Sequence, residues 1–218
     1  MMIVLVFVSA IAVFLASMFT QRLRKLWVAL AAIIFIGSTA IVTLNYSHHF
    51  SMKKVTTTSS KVIYSATSKQ QMPIILYQPV GKSGRDDVYL YNESPDQKKP
   101  SHTAANEQTR NYLHYVNGDQ VRLVTKETRW QYRNSFDHFL FAGSGMDNKL
   151  VKVSNDFYYP RYYVKASAAQ MKQLAKQMQQ HKAGAANASA PAANSNSGND
   201  NVMMKQKGQM IKQALSEN

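Results

Sequence analysis

The first 44 residues hold two apolar runs separated by one short basic turn, and no other feature limits the fold so strongly. From Met1 to Phe19 every residue is apolar or small. At about 1.5 Å per helical residue, such a run reaches across a bilayer core about 30 Å thick. Thr20, Gln21, Arg22, Leu23, Arg24 and Lys25 interrupt it, and a second run extends from Leu26 to about Leu44. Hydrocarbon offers the backbone no hydrogen-bond partner, so both runs are expected to be helical. The expectation is a transmembrane hairpin over residues 1–46, with spans at about 1–19 and 26–44. Small residues at Ser9, Ala12, Ala16, Ala29, Ala32, Gly37 and Ala40 would allow close helix packing. No positive residue precedes the first run, which argues for a retained anchor over a cleaved signal peptide.

Orientation follows from Arg22, Arg24 and Lys25, whose density in the turn predicts a cytoplasmic turn and an extracytoplasmic C-terminal domain under the positive-inside rule. Lys53, Lys54 and Lys61 beyond the second run pull the other way. A reversed domain would meet inner-leaflet lipids or nucleic acid instead.

Past the membrane the chain changes character. Between Lys54 and Lys165, Val, Thr, Tyr, Ile and Phe alternate with Gly, Asn, Asp and Pro clusters, a strand signature. Strands are predicted at 55–66, 73–78, 88–92, 112–116, 120–132, 136–141, 149–153 and 162–165. Turns are predicted at Gly81 to Asp86, at Asn117-Gly118-Asp119, read as a tight hairpin, and at Arg133-Asn134-Ser135. The polar stretch from Glu93 to Thr109 reads as a long loop. The fold class expected is an α+β membrane protein: a two-helix transmembrane hairpin, then a small, mostly antiparallel β domain over 53–165, barrel or sandwich-like, and a C-terminal helix.

Ser167 and Gln170 form a capping-box pattern that opens an amphipathic helix over 166–182, with Met171, Leu174, Ala175 and Met178 on one face. Residues 183–201, rich in Ala, Asn and Ser, have too little apolar side chain for a core and read as a disordered linker. A short tail helix is expected over 202–218, either docking on an anionic membrane or partner or fraying as a terminal helix.

Charge and motifs then narrow the chemistry. There are 26 Lys and Arg against 12 Asp and Glu, a formal charge of +14, which favours anionic partners. The basic residues form no run of five or six, which disfavours a nucleic-acid arm. Cysteine is absent, which removes disulfides, thiolate metal sites and cysteine nucleophiles. Gly81-Lys82-Ser83 lacks the upstream glycine of a phosphate-binding loop, since Leu76 stands there, and a strand follows it. Ser144, flanked by Ala142 and Met146, lacks the glycines of a nucleophile elbow, and with His138 and Asp137 it makes only a weak hydrolase group. His48, His49, His102, His114, His138 and His181 contain no i, i+4 metal pair. No catalytic, cofactor or metal residue is assigned. Aromatic and basic residues interleave near Trp130 and along Phe157 to Lys165. There Arg129, Arg133, Arg161 and Lys165 are candidate contacts for an anion or polymer, with a buried strand face as the competing account of Trp130 and Tyr132.

Several segments carry a family resemblance: Met52 to Thr58, Leu76-Tyr77-Gln78-Pro79-Val80-Gly81, Val88-Tyr89-Leu90-Tyr91, Gln97-Lys98-Lys99-Pro100, Leu123 to Trp130, and Leu150-Val151-Lys152, after the double apolar run. In these the chain resembles a family of small membrane proteins from lactic-acid bacteria that carry a domain of unknown function, up to about Gln170. The resemblance implies a bacterial cell-membrane location and no activity, cofactor or catalytic residue. The functional expectation is a non-enzymatic binding module whose partners are the lipid bilayer and an anionic wall polymer or lipid headgroups. The alternatives are an accessory subunit bound to another membrane protein, and an envelope hydrolase.

Overall fold

The structure, a computed structural model, describes residues 1–19, 23–67, 72–81, 87–173 and 200–216. Arg22, residues 82–86 of the predicted turn at Gly81 to Asp86, His181, the helix-face residues Leu174, Ala175 and Met178, and most of the linker lie outside them. The chain divides into two compact units that do not follow chain order. One comprises Met1–Thr57 with Glu127–Lys152, and the other Thr58–Lys126 with Val153–Asn218.

The first unit begins with helices α1 (Met2–Phe19) and α2 (Arg24–His48). They pack against each other with the start of α1 beside the end of α2: Met2 clusters with Ile41 and Val42. The less exposed residues of α1 include Met2, Val6, Ser9, Val13 and Ala16, an alternation of four and three that makes a narrow seam, with Ser17 beside its end. On α2 the seam includes Ala32, Phe35, Ser38 and Asn45. Ser9, Ala16 and Ala32 therefore serve close packing, whereas Ala12, Ala29, Gly37 and Ala40 face outward. Phe7, Phe14, Ile33 and Ile36 are each more than half exposed. Among the described residues α2 is the one helix long and apolar enough to cross a membrane; α1 is apolar but shorter. Arg24 and Lys25 stand exposed in its first turn.

Helix α2 continues past the expected end at Leu44 to His48, and its end is tied down by polar groups. The N–H groups of His49 and Phe50 both donate to the carbonyl of Leu44. His49 and Ser51 adopt left-handed backbone, at φ 53° and 66°, and turn the chain into β1. Asn45, 1 % exposed, donates through Nδ2 to the Phe50 carbonyl at 2.8 Å. A carbonyl only accepts, so this bond orients the amide and leaves Oδ1 to receive the Tyr132 hydroxyl at 3.2 Å. Tyr132 and Ser144 share a bond of 2.8 Å, and Ser144 Oγ accepts from the Met146 N–H. Tyr132 also stacks on Phe141 at 5.6 Å, within a cluster of Met2, Met52, Phe141 and Met146.

Among the described residues nine strands form two mixed sheets: β1 (Met52–Val62), β2 (Tyr64–Ser65), β3 (Ile74–Gln78), β4 (Val88–Asn92), β5 (Ser101–His102), β6 (Thr109–Val116), β7 (Arg122–Tyr132), β8 (Leu150–Pro160) and β9 (Val164–Ser167). One sheet has the order β1-β7-β8-β6 and the other β2-β4-β3-β9, with β5 on β4. Neither closes into a barrel, and two pairings are parallel, β6 with β8 and β3 with β9. Of the small, mostly antiparallel domain expected as barrel or sandwich-like, the α+β class stands, while the closed barrel is corrected and the sheets are mixed. Parallel pairing joins strands distant in sequence, and no turn announces it. The Asn117-Gly118-Asp119 turn likewise closes no hairpin, because β8 lies between β6 and β7. Neither Asn117 nor Gly118 has the positive φ that a tight two-residue hairpin requires. The predicted short strand at 149–153 runs on to Pro160, where Phe157 and Tyr159 are core residues.

Residues 136–141, expected as a strand, form helix α3 (Ser135–Leu140). Asn134 caps it, accepting from the Asp137 N–H at 2.7 Å, and this local bond outweighs the β tendency of two phenylalanines. Helix α4 opens at residue 168. The Ser167 N–H donates to Gln170 Oε1, and the Gln170 N–H to Ser167 Oγ, which is a reciprocal capping box. On helix α5 (Asp200–Ser216), Ile211, Ala214 and Leu215 pack with Ile74 and Ala166, while Val202, Met203 and Met210 stand exposed. The core of the second unit is aromatic, with Tyr89, Tyr91, Phe157 and Tyr159 around Ile63, Ile75 and Leu123.

Replacing Tyr132 by Phe strands Asn45 Oδ1 without its donor. The expected loss is about 1–3 kcal/mol, the cost of a buried unsatisfied acceptor. Ser144→Ala should cost under about 1 kcal/mol, because Ser144 is only half-buried and water can take its place. Unfolding of the purified full-length protein in detergent measures both, and the reverse order would mean that Asn45 does not depend on Tyr132.

Candidate functional site

In the second unit, β9 and α5 border a groove of about 800 Å³. Three cations stand exposed at its edge: Arg161, and Lys205 and Lys212, two helical turns apart on α5. Tyr115, Tyr162 and Tyr163 supply aromatic surface, with Tyr162 and Tyr163 rings 5.3 Å apart. No acidic residue is among the described lining residues. Burial pushes the phenol of Tyr163 up to about 12, and those of Tyr115 and Tyr162 upward too, so all three are neutral hydrogen-bonding groups at physiological pH.

Backbone contact seats α5 beside the groove. A Cβ on Gly208 would fall 2.3 Å from the Tyr162 carbonyl oxygen, a distance no side chain tolerates. Glycine there lets α5 approach the chain just ahead of β9, and Ile211 one turn later holds it against Ile74 and Ala166.

Lys165 lines the same groove in a different role. Its Nζ lies 2.6 Å from Asp87, which is 6 % exposed, and 4.1 Å from the centre of the Tyr77 ring. Burial alone would lower the ammonium, but the hydrogen bond to Asp87 and the Tyr89 phenol outweigh it and hold its pKa above the ordinary value. Lys165 is charged but already neutralised, so it positions the groove floor and leaves Arg161, Lys205 and Lys212 to meet an anion.

The other sequence candidates are distributed elsewhere. Arg129, in the first unit, bonds Glu127 at 3.0 Å and the Asn148 carbonyl at 3.0 Å. Arg133 is exposed in the same unit, beside the α2 exit, where its N–H donates to the Ser51 carbonyl. Trp130 is half-buried and stacks on His49 at 4.1 Å with Lys54 over its ring, and Tyr132 is buried. Burial, then Lys149 and Lys54, lower the pKa of His49. Lys205 and Lys212 fall on the tail helix expected over 202–218. Their contribution depends on the docking of α5, which helical spacing hinted at through Ile211 and Leu215 but did not place.

A second depression, about 440 Å³, lies in the first unit and is lined by Tyr132, Asn134, His138 and Asp147 among others. His138 faces Asp147 at 3.4 Å; Ser144 is bonded to Tyr132, and the N–H of Asp137 belongs to the cap of α3. Ser144, His138 and Asp137 are therefore not assembled into a proton relay. On the sheet face opposite the core, Asp156 receives Lys126 at 3.0 Å and His114 at 3.1 Å. Burial would raise its carboxyl, but these two bonds outweigh it and hold the pKa below the usual value. Among the described residues no group of three or more His, Asp or Glu could hold a metal ion.

Gly208→Ala should push α5 away from Tyr162. Amide hydrogen exchange across 200–216 is expected to accelerate while that of β7 and β8 stays unchanged. Unaltered exchange in α5 would show that the close approach is dispensable.

No curated protein and no solved structure matches the chain. A family model, that of a domain of unknown function (DUF4811), matches residues 20–174, from just after α1 through β9 to the first part of α4. The matched stretch covers most of the chain, including Arg161 and Lys165 of the groove, and leaves α5 outside it; the chain belongs to the DUF4811 family.

Proposed function

We propose that this protein is a membrane-anchored binding module, held by α2 with α1 as its companion in the bilayer, which displays the second unit outside the cytoplasmic membrane to bind an anionic polymer of the envelope. The observation that carries the reading is the groove at β9 and α5, where Arg161, Lys205 and Lys212 meet aromatic walls without an acidic residue among the described lining residues. Such a groove suits a chain of repeated phosphates or carboxylates. Cations engage the charges, and tyrosine faces and hydroxyls engage the connecting polyol or sugar. An extended polymer also matches an open groove better than a small metabolite, which is usually enclosed over most of its surface.

No reaction is needed for this role. The formal charge of +14 adds a long-range attraction for polyanions, which is weakened by salt.

The groove is tested by titrating the full-length protein in detergent with poly(glycerol phosphate). Binding is expected at low salt and should weaken as salt rises. The Lys205→Ala/Lys212→Ala double variant should lose roughly tenfold in affinity, from about 0.2–1 kcal/mol for each exposed ionic contact. Equal binding by the double variant would move the polymer elsewhere on the basic surface.

Placement is tested with cysteine reporters, which the cysteine-free chain permits one at a time. Gly118→Cys, in an exposed turn with open space around it, should react with an impermeant maleimide on intact cells. Leu23→Cys, beside Arg24 and Lys25, should react only after permeabilisation. The opposite pattern would place the domain in the cytoplasm and make inner-leaflet lipids the anionic partner.

A further inference from the structure

We infer that α3 is a membrane-interface foot: Phe136 and Phe139 enter the headgroup boundary of an anionic bilayer where α2 leaves it. The inference rests on the reading that α2 spans the membrane.

Helix α3 has two sides with different fates. Its C-terminal end turns inward, where Leu140 and Phe141 join Met2 of α1 and Ile41 and Val42 of α2. Its other side carries Phe136 and Phe139, 68 % and 57 % exposed, one turn apart on the six-residue helix. A lone exposed phenylalanine is ordinary on a soluble surface. Here the Phe139 carbonyl lies 3.5 Å from the Met1 ammonium, which places the two beside the start of α1, where Met1, Ile3 and Val4 are themselves exposed. Tyr46 and Phe50, at the end of α2 and just beyond it, are also more than half exposed. Aromatic side chains gathered at one level beside a membrane helix mark the interface between hydrocarbon and water.

Helix length agrees with that level. The 25 residues of α2 extend about 37 Å, longer than a hydrocarbon core of about 30 Å, so the last turn emerges into the headgroup region. That turn contains Asn45, whose bond to Tyr132 sits in the cluster that holds the end of α3. Charge supports an anionic surface in particular. Lys53, Lys54, Arg133 and Lys149 are exposed around the same exit, with Lys54 over the Trp130 ring and the Lys149 carbonyl receiving the Trp130 N–H. Cations above an aromatic belt are placed to meet lipid phosphates.

Nitroxide labels on single cysteines test this in the full-length protein, reconstituted into vesicles of phosphatidylcholine and phosphatidylglycerol. Labels at Phe136→Cys and Phe139→Cys should be more accessible to oxygen than to a water-soluble nickel chelate, at shallow depth. A label at Ile33→Cys should lie deeper. Vesicles of phosphatidylcholine alone should leave the α3 labels shallower. If the label at 33 reports lipid while those at 136 and 139 report water, the interface foot is refuted and the anchor stands. If the label at 33 also reports water, α2 does not span, and both readings fall together.

Discussion

The hydrogen bond between Asn45 and Tyr132 is the constraint on which the first unit depends. An asparagine near the end of an apolar helix carries a desolvation cost unless every polar atom finds a partner. Asn45 meets that condition by binding the Phe50 carbonyl with its amide and the Tyr132 hydroxyl with its oxygen. The first bond shapes the left-handed turn at His49 and Ser51, and the second fastens α2 to the end of β7. Because β1 starts directly after that turn, the direction in which the chain leaves the helix is set by a few buried polar atoms. The α2 exit is thus coupled to the strands by specific hydrogen bonds as well as by the peptide chain.

Around this junction the first unit has the features of a collar. Met2, Met52, Phe141 and Met146 fill the space beside Tyr132, and methionine is suited to such an irregular junction of helix ends and loop. His49 stacks on Trp130, and its lowered pKa disfavours a charge next to Lys54 and Lys149. The second unit uses different means. Its core is built from tyrosine and phenylalanine, and its polar groups pair across neighbouring strands: Thr125 donates to Asn155, and Asn155 to Asn111. Buried hydroxyls and amides satisfied in this way favour one register over its neighbours.

Ion pairing separates residues that the sequence makes look alike. Arg129 and Lys165 each lie in an aromatic-basic stretch, yet Glu127 and Asp87 neutralise them. Arg161, Lys205 and Lys212 keep exposed charge at the groove, and two of these three come from a helix remote in the chain. A net positive charge is therefore a weak guide to a binding site until the carboxylates that offset it are located.

What the sequence alone determined was set by local physics. Hydropathy and length marked α2 as a helix able to cross a membrane, β propensity found most strands, Ser167 and Gln170 announced a helix start, and the lack of cysteine removed whole classes of chemistry. Even α3 has a local sign in Asn134 with Asp137 three residues on, set against the β propensity of two phenylalanines. The tertiary structure decided what depends on meetings between distant residues. It paired β6 with β8 and β3 with β9 in parallel, brought Tyr132 to Asn45, seated α5 through Gly208, and so assembled the groove. Periodicity reports which side of an element is apolar, but not which other element will cover it, because that choice is made by packing across the whole chain.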